Sequence, residues 1–315
     1  MKKLENLEWK PMWVSHLGCI KGCLNYLGIN MSEAWLFGIT GHAFILNMHD
    51  VVCPSGPTAW KSEKMYELGT NVGFRVEYIE SFKSQDDFAE RQKQAWKMAK
   101  DAIDKGLPCI GWELAVPEYY VVNGYDDTGY HYSGPIIGEF KPKPWNELGD
   151  SGIGVLFMGV VRKADPKDEK TAVKKAFDFV LEYAKYEEYW LPKYKGGLQG
   201  FDSWIEAIKN DTADNFGMAY NSVVWCESRH YAVEFLEEAR DRLPEQVSGL
   251  LEDARVHYQV VADCMKQVSE LFPFPPKGEE VKDKDKCNRA LELLQKARDA
   301  EEMGLNTIEE IAIAL

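Results

Sequence analysis

The sequence predicts an α+β domain followed by an all-α helical bundle, and two observations support this fold class. Up to about Arg162, short apolar runs alternate with Gly and Pro, and the predicted helices come before the predicted antiparallel strands, as is typical of α+β proteins. Beyond Asp165-Pro166, the chain changes to long amphipathic segments with apolar residues at helical spacing. We therefore predict two domains, over residues 1–165 and 166–315.

Helices are predicted first in the N-terminal domain. Apolar residues at helical spacing over residues 19–27 indicate a helix that Gly28 ends. Ser32 is predicted to cap the start of the next helix. Further helices are predicted over residues 57–72, after a turn rich in Pro and Gly, and over residues 84–105, where the first turn is acidic and a glycine follows the end.

In the N-terminal domain, residues 74–79 alternate between apolar and polar side chains as a strand does, and turn signals bound the other predicted strands. The Asp-Asp-Thr-Gly turn at 126–129 joins two of the strands as a hairpin. The last strand is apolar enough to be central in an antiparallel sheet. The predicted strands span residues 74–79, 108–114, 119–125, 129–132 and 154–162.

The C-terminal domain is predicted to be entirely helical. Charges of both signs interleave with apolar residues along each segment, which is typical of helices with one solvated face. The Phe-Pro-Phe-Pro-Pro run at 272–276 interrupts this pattern, because proline lacks an amide donor and fixes φ. The predicted helices span residues 168–189, 200–210, 212–240, 244–271 and 283–303.

Composition narrows the class of protein. The chain has 315 residues and a net charge of −14, so binding to nucleic-acid phosphates or to an anionic membrane surface is not expected. Its 10 Trp, 14 Phe and 15 Tyr predict a packed core. No apolar run approaches the roughly 20 residues that span a bilayer, and the first residues are charged. We expect a cytoplasmic protein.

The cysteines indicate reduced thiols. Their number, seven, is odd, and none forms a Cys-x-x-Cys pair, so a structural zinc site is not predicted. The histidines show no three-ligand spacing, and the usual glycine-rich nucleotide motifs are absent where a strand would precede them. We therefore expect neither a metal nor a cofactor.

Two stretches are candidates for chemistry. Residues 13–28 read Trp-Val-Ser-His-Leu-Gly-Cys-Ile-Lys-Gly-Cys-Leu-Asn-Tyr-Leu-Gly, so a small nucleophilic residue lies near the start of a helix. Backbone amides and the positive end of the helix dipole favour an anion there, which lowers a thiol pKa and stabilises an oxyanion. Residues 111–127 contain the end of one strand, a connection with Pro117, and a second strand beginning at Glu118.

These stretches resemble a known family. The helix ends in Leu-Asn-Tyr-Leu-Gly and is followed by Ser-Glu-Ala and Phe-Gly-Ile-Thr-Gly, and the hairpin reads Tyr-Tyr-Val-Val-Asn-Gly-Tyr-Asp-Asp. The pattern resembles the papain-like fold of bacteriocin-processing cysteine peptidases. More closely, it resembles the N-terminal domain of the butirosin-biosynthesis acyltransferase (BtrH-type) family, and the helical half resembles the appendage of such proteins. The resemblance implies a papain-like domain that acts on a small acyl or amide substrate.

The resemblance also implies where the site should lie. Counted from Gly28, the family's nucleophilic cysteine corresponds to Ser15, and the family's histidine corresponds to Glu118. The orienting Asp or Asn of the family falls near residues 133–135, which read Ser-Gly-Pro. The Cys-His-Asp triad is therefore not intact, and papain-like proteolysis is not expected.

A first interpretation keeps a thiol nucleophile. Cys19 would start the helix after a slip of about one turn, Gly18 would let a substrate approach, and His16 or His42 would act as base. The competing interpretation is that Cys19 is a small buried residue facing the sheet.

In a second interpretation, Ser15 is the working residue, with Glu118 and His16 as its ionisable partners. Here the competing structural role for Ser15 is that of an N-cap whose hydroxyl accepts a backbone N–H.

In a third interpretation, the cleft is catalytically inactive and binds a ligand through Trp13, His16, His42, Glu113 and Glu118. A buried Glu113 would need a salt bridge or a raised pKa. The acyl-transfer prediction implies a small-molecule or acyl-carrier-type substrate, whereas an inactive domain would hold a small ligand or a partner peptide. A homodimer is compatible with either.

Overall fold

The computed structural model of the chain describes residues 1–136, 138 and 141–315, and it has a mixed α+β fold. The helices are α1 (Ser15–Tyr26), α2 (Glu33–Ile39), α3 (Glu63–Gly69), α4 (Phe88–Asp104), α5 (Glu169–Lys185), α6 (Gly197–Lys209), α7 (Asn215–Arg242), α8 (Ser248–Leu271) and α9 (Lys284–Ala314). The strands are β1 (Lys2–Lys3), β2 (Asn47–His49), β3 (Phe74–Phe82), β4 (Cys109–Trp112), β5 (Tyr119–Tyr125), β6 (Gly129–Ser133), β7 (Lys143–Pro144), β8 (Val155–Lys163) and β9 (Tyr194–Gly196).

The chain divides into two compact units, each built from two separate segments. Unit 1 comprises Met1–Met31 and Gly73–Pro166, and unit 2 comprises Ser32–Val72 and Lys167–Leu315. The chain passes from unit 1 to unit 2 for the second time between Pro166 and Lys167, within one residue of the boundary predicted between residues 165 and 166. Residues 32–72 differ from the prediction, because α2 packs against α7 of the helical unit instead of joining the sheet domain.

Unit 1 contains an antiparallel sheet with the strand order β3-β8-β4-β5-β6-β7, and β1 pairs with β5. Strand β3 pairs with β8 from Phe74 opposite Lys163 to Phe82 opposite Val155. Strand β4 lies between β8 and β5 and places Trp112 opposite Tyr119. The sheet confirms the α+β prediction, because each predicted strand forms within a few residues of its expected bounds.

Helix α1 is buried throughout the stretch from Ser15 to Leu24. It begins one turn earlier than predicted, and its glycines let the N-terminal segment cross it closely. A Cβ at Gly18 would lie 2.4 Å from the carbonyl oxygen of Lys10, and one at Gly22 would lie 2.0 Å from that of Glu8. Gly18 therefore makes room for the chain's own N-terminal segment, whereas the first interpretation assigned that space to a substrate.

Unit 2 is mainly helical, as predicted for the C-terminal region, and α8 packs against both α7 and α9. Helix α2 begins as expected, because Ser32 Oγ accepts a hydrogen bond of 2.9 Å from the amide of Trp35. Strands β2 and β9 add a small antiparallel sheet. No helix within residues 1–136, 138 and 141–315 is long and apolar enough to cross a membrane.

Two predicted helices of unit 2 have different bounds. The helix predicted over residues 57–72 is reduced to α3 and a 3₁₀ turn, because Trp60 pairs with Trp190 in an isolated β-bridge. The helix predicted to end at residue 303 continues as α9 to Ala314. Gly304 lies inside this helix and does not end it. The glycine leaves space for Tyr258, whose ring would be 2.7 Å from a Cβ at this position.

Candidate active site at the start of helix α1

Ser15 and Glu118 are in contact, although they lie 103 residues apart in the sequence. Ser15 is the first residue of α1, and its hydroxyl donates a short hydrogen bond to the carboxylate of Glu118. The same oxygen accepts a hydrogen bond of 3.1 Å from the amide of Tyr119. Val14 occupies the N-cap position, so Ser15 does not cap its own helix as the structural alternative assumed.

The connection between β4 and β5 positions Glu118. The amide of Glu113 donates to the carbonyl oxygen of Glu118 at 2.9 Å, and the amide of Glu118 donates to that of Val116 at 2.7 Å. Glu113 adopts a φ of 54°, a left-handed conformation that is uncommon for residues other than glycine. This tight connection brings the carboxylate of Glu118 to the start of α1, immediately before β5 begins.

His16 lies beside the Ser15–Glu118 contact in a group of aromatic rings. Its imidazole stacks on Tyr119 with ring centroids 3.7 Å apart and an interplanar angle of 8°. Phe157 meets the imidazole edge-on at 6.2 Å, and Trp112 meets Tyr119 edge-on at 5.0 Å. Three of the predicted residues, Ser15, His16 and Glu118, are thus brought together through Tyr119, which the sequence analysis did not single out.

Cys19 lies one turn into α1 and is completely buried. Burial raises the pKa of its thiol well above 9.0, and the charges of Cys23 and Glu118 raise it further. A thiolate is the nucleophilic form of cysteine, and these surroundings disfavour it. The geometry therefore argues against Cys19 as an activated nucleophile. It favours the competing interpretation, in which Cys19 is a small buried residue.

Trp13 and Glu113, which were predicted to bind a ligand, lie at different places in unit 1. Trp13 precedes α1 and keeps 41% of its surface exposed. Glu113 accepts a hydrogen bond of 2.6 Å from the hydroxyl of Ser151, which in turn accepts from the amides of Ile153 and Gly154. Glu113 is only partly buried, so the condition for a salt bridge or a raised pKa is not met, and the residue stabilises the turn before β8 through this hydrogen bond.

His42 belongs to unit 2, where it is buried among Phe37, Trp60 and Trp225. Burial lowers the pKa of its imidazole to about 4, and the positive charge of Arg229 acts in the same direction. His42 is therefore neutral at pH 7, and its Nδ1 atom meets no hydrogen-bond partner in the part of the chain that the structure describes.

The β5–β6 hairpin contains a pair that the sequence analysis did not single out. His131 Nε2 and Asp126 Oδ2 lie 2.6 Å apart, and Asp126 also accepts from the amide and hydroxyl of Thr128. The hydrogen bonds from Thr128, followed by that from His131, lower the pKa of Asp126. The Asp-Asp-Thr-Gly turn signals the Thr128 contacts, but the pairing with His131 depends on the strand register.

Ser133 ends β6 near the position implied for the orienting residue, and none of the described residues forms a hydrogen bond with its buried hydroxyl. Gly134 lies against Tyr120, where a Cβ would be 2.3 Å from the ring.

In the described part of the chain, no group of three or more His, Cys, Asp or Glu side chains is arranged to hold a metal ion.

No model of a known protein family matches the sequence, and a search of the curated proteins finds no similar chain.

Proposed function

We propose that unit 1 is a papain-like domain that transfers or hydrolyses a small acyl group, with Ser15 as nucleophile and Glu118 as its base. The observation that supports this most directly is the hydrogen bond from the Ser15 hydroxyl to the Glu118 carboxylate at the start of α1. A serine needs a positioned base, and here a proton acceptor already touches it. The motif resemblance supports the same position for the nucleophile.

The reaction consists of two balanced steps. Ser15 Oγ attacks the carbonyl carbon of a thioester or amide, its proton passes to Glu118, and the leaving thiol or amine takes that proton as its bond to the acyl group breaks. An amine or water then attacks the ester on Ser15 and gives a proton to Glu118, which returns it to Ser15 Oγ as the product leaves. The positive end of the α1 dipole favours the negative charge that develops on the carbonyl oxygen in both steps.

The surroundings limit the substrate. Ser15 is only 3% exposed, so a short acyl group fits the site better than a bulky one. Trp13, which is half-exposed two residues before Ser15, offers an aromatic surface for the leaving group, whether a small thiol or amine or the arm of an acyl carrier.

A fluorophosphonate probe tests this function, because it modifies serines that are activated as nucleophiles. We expect mass spectrometry to find the adduct on Ser15 and none in Ser15→Ala. General-base catalysis contributes about 10²–10⁴-fold, so Glu118→Gln should label at least about 100-fold more slowly. Ser151 is a matched internal control, because its hydroxyl also donates to a glutamate, Glu113, but does not begin a helix. Labelling of Ser15 no faster than Ser151 would contradict the proposal.

A second candidate is a catalytically inactive papain-like domain that binds a small ligand or a partner peptide. It is favoured by the fact that both hydrogen bonds of the Ser15 hydroxyl are satisfied within the protein, by Glu118 and by the amide of Tyr119. The two candidates differ in one measurement. An inactive domain would leave Ser15 unmodified by the probe, yet a ligand present at 100 times its dissociation constant would stabilise the fold by about 2.7 kcal/mol.

A further inference from the structure

Trp112 carries an unsatisfied hydrogen-bond donor inside unit 1. Its side chain ends β4 and is 7% exposed, and its buried Nε1 atom has no hydrogen-bond partner among residues 1–136, 138 and 141–315. Leaving such a group unpaired destabilises a fold, and the great majority of buried polar groups in native proteins are paired. The indole N–H of Trp112 therefore meets no acceptor among the described residues, and a bound ligand would supply one.

The position of this donor connects it with the candidate active site. Trp112 pairs with Tyr119 across β4 and β5, and directly opposed residues project to the same side of a sheet. Their rings meet edge-on at 5.0 Å. Tyr119 also donates its amide to Ser15 Oγ and stacks its ring on His16. A single residue thus lies between the unpaired donor and the candidate nucleophile.

We propose that the indole N–H of Trp112 donates a hydrogen bond to the carbonyl oxygen of a neutral acyl or amide substrate. This inference rests on the proposed function of Ser15. The donor is uncharged, its neighbour Tyr119 is aromatic and packs in turn on Phe157, and Glu118 places a carboxylate beside Ser15 at the same site. Such surroundings favour an uncharged carbonyl compound over a carboxylate or phosphate of the same size, because the anion would be repelled by Glu118 and would lose its hydration on burial.

Acetamide and acetate test this assignment, since they have nearly the same shape and differ in charge. Each is titrated into the protein with ¹⁵N-labelled tryptophan while the indole N–H signals are recorded by NMR. The Trp112 signal is assigned by its loss in Trp112→Phe, or by contacts with the Tyr119 ring should that variant not fold. Trp96 is a matched control, because it packs on two tyrosines of the same unit, Tyr125 and Tyr130.

We expect acetamide to move the Trp112 indole proton downfield in a saturable way, in the wild type and in Ser15→Ala, while the Trp96 signal stays in place. Trp112→Phe should bind acetamide about tenfold more weakly, as expected for one lost hydrogen bond. Acetate should bind at least tenfold more weakly than acetamide. A Trp112 signal that does not respond, or an equal response of Trp96, would overturn the assignment.

The proposed function is tested independently of Trp112, because it fails if the fluorophosphonate leaves Ser15 unmodified. In that case a saturable response of Trp112 in Ser15→Ala would still support carbonyl binding by an inactive domain. Acetate binding as tightly as acetamide would contradict the preference for a neutral substrate.

Discussion

Arg229 and Glu301 form a doubly hydrogen-bonded ion pair in the interior of unit 2. Arg229 Nε donates to Glu301 Oε2 at 2.8 Å, and its Nη2 donates to Oε1 at 2.9 Å. Both side chains are at most 1% exposed. The remaining nitrogen, Nη1, donates to the carbonyl oxygens of Ala43 and Ile45, so one side chain connects α7, α9 and the segment after α2.

We expect Glu301→Leu to destabilise the protein by about 3–5 kcal/mol, because it leaves the Arg229 guanidinium buried without a counter-charge. The double variant Arg229→Met/Glu301→Leu should recover part of this loss, since it removes the uncompensated charge but leaves two carbonyl groups without their donor. Urea unfolding of the wild type, both single variants and the double variant measures the coupling energy. Additive single effects would show that the pair does not act as a unit.

His42 predicts a loss of stability at acidic pH. Its pKa is about 4 in the folded chain and close to 6.5 when unfolded, so between these values the unfolded chain binds more protons. Stability from this group is complete above about pH 6.5 and falls as the pH decreases toward 4, by about 3 kcal/mol in total. Unfolding free energies between pH 8 and pH 4 should therefore decrease less in His42→Gln than in the wild type. Parallel curves would contradict the assignment.

Cys19 is expected to be unreactive in the native protein. Its thiol is completely buried and its pKa is raised, whereas Cys226 is partly exposed. Iodoacetamide labelling followed by mass spectrometry should modify Cys226 before Cys19, and Cys19→Ser should leave fluorophosphonate labelling of Ser15 unchanged. Faster labelling of Cys19 than of Cys226 would favour the thiol interpretation over the serine one.

Gly18→Ala is expected to destabilise unit 1 by about 1–3 kcal/mol through overpacking. The added Cβ would lie 2.4 Å from the Lys10 carbonyl oxygen and 2.6 Å from Trp9 Nε1, and Trp9 donates from that atom to the carbonyl oxygen of Ser15. Gly152→Ala is the control, because its Cβ would meet no atom of the described residues within 4 Å, so the change should alter stability by less than about 0.5 kcal/mol. Equal denaturation midpoints for the two variants would refute the role given to Gly18.

The sequence predicted the sheet well for a local reason. Each strand is a short alternating or apolar run with Gly, Pro or Asp close to its ends, so its position is readable without knowledge of its partners. Helix α1 was harder to interpret, because it is buried on all sides and its apolar pattern does not distinguish Ser15 from Cys19 as the residue facing the site. No sequence pattern predicts that the N–H of Trp112 lacks an acceptor among the described residues, because this depends on which groups the fold places around the indole.

The contact of Ser15 with Glu118 was anticipated only through the family resemblance. No local pattern relates residues 103 positions apart, and the carboxylate reaches α1 because of the tight connection at Glu113. The assignment of residues 32–72 to unit 2 was missed for a similar reason. Composition does not tell which distant helix a short segment packs against.

The interrupted course of the chain has a consequence for biosynthesis. Unit 1 is complete once Pro166 has left the ribosome, but Ser32–Val72, which is made before most of it, finds its packing partners only after Lys167 and the following helices emerge. During that interval the apolar residues of α2, including Trp35, Leu36 and Phe37, have no helical unit to cover them. During synthesis the apolar surface of residues 32–72 therefore stays exposed until unit 2 can form. A pause in translation or a premature stop in this interval would favour aggregation.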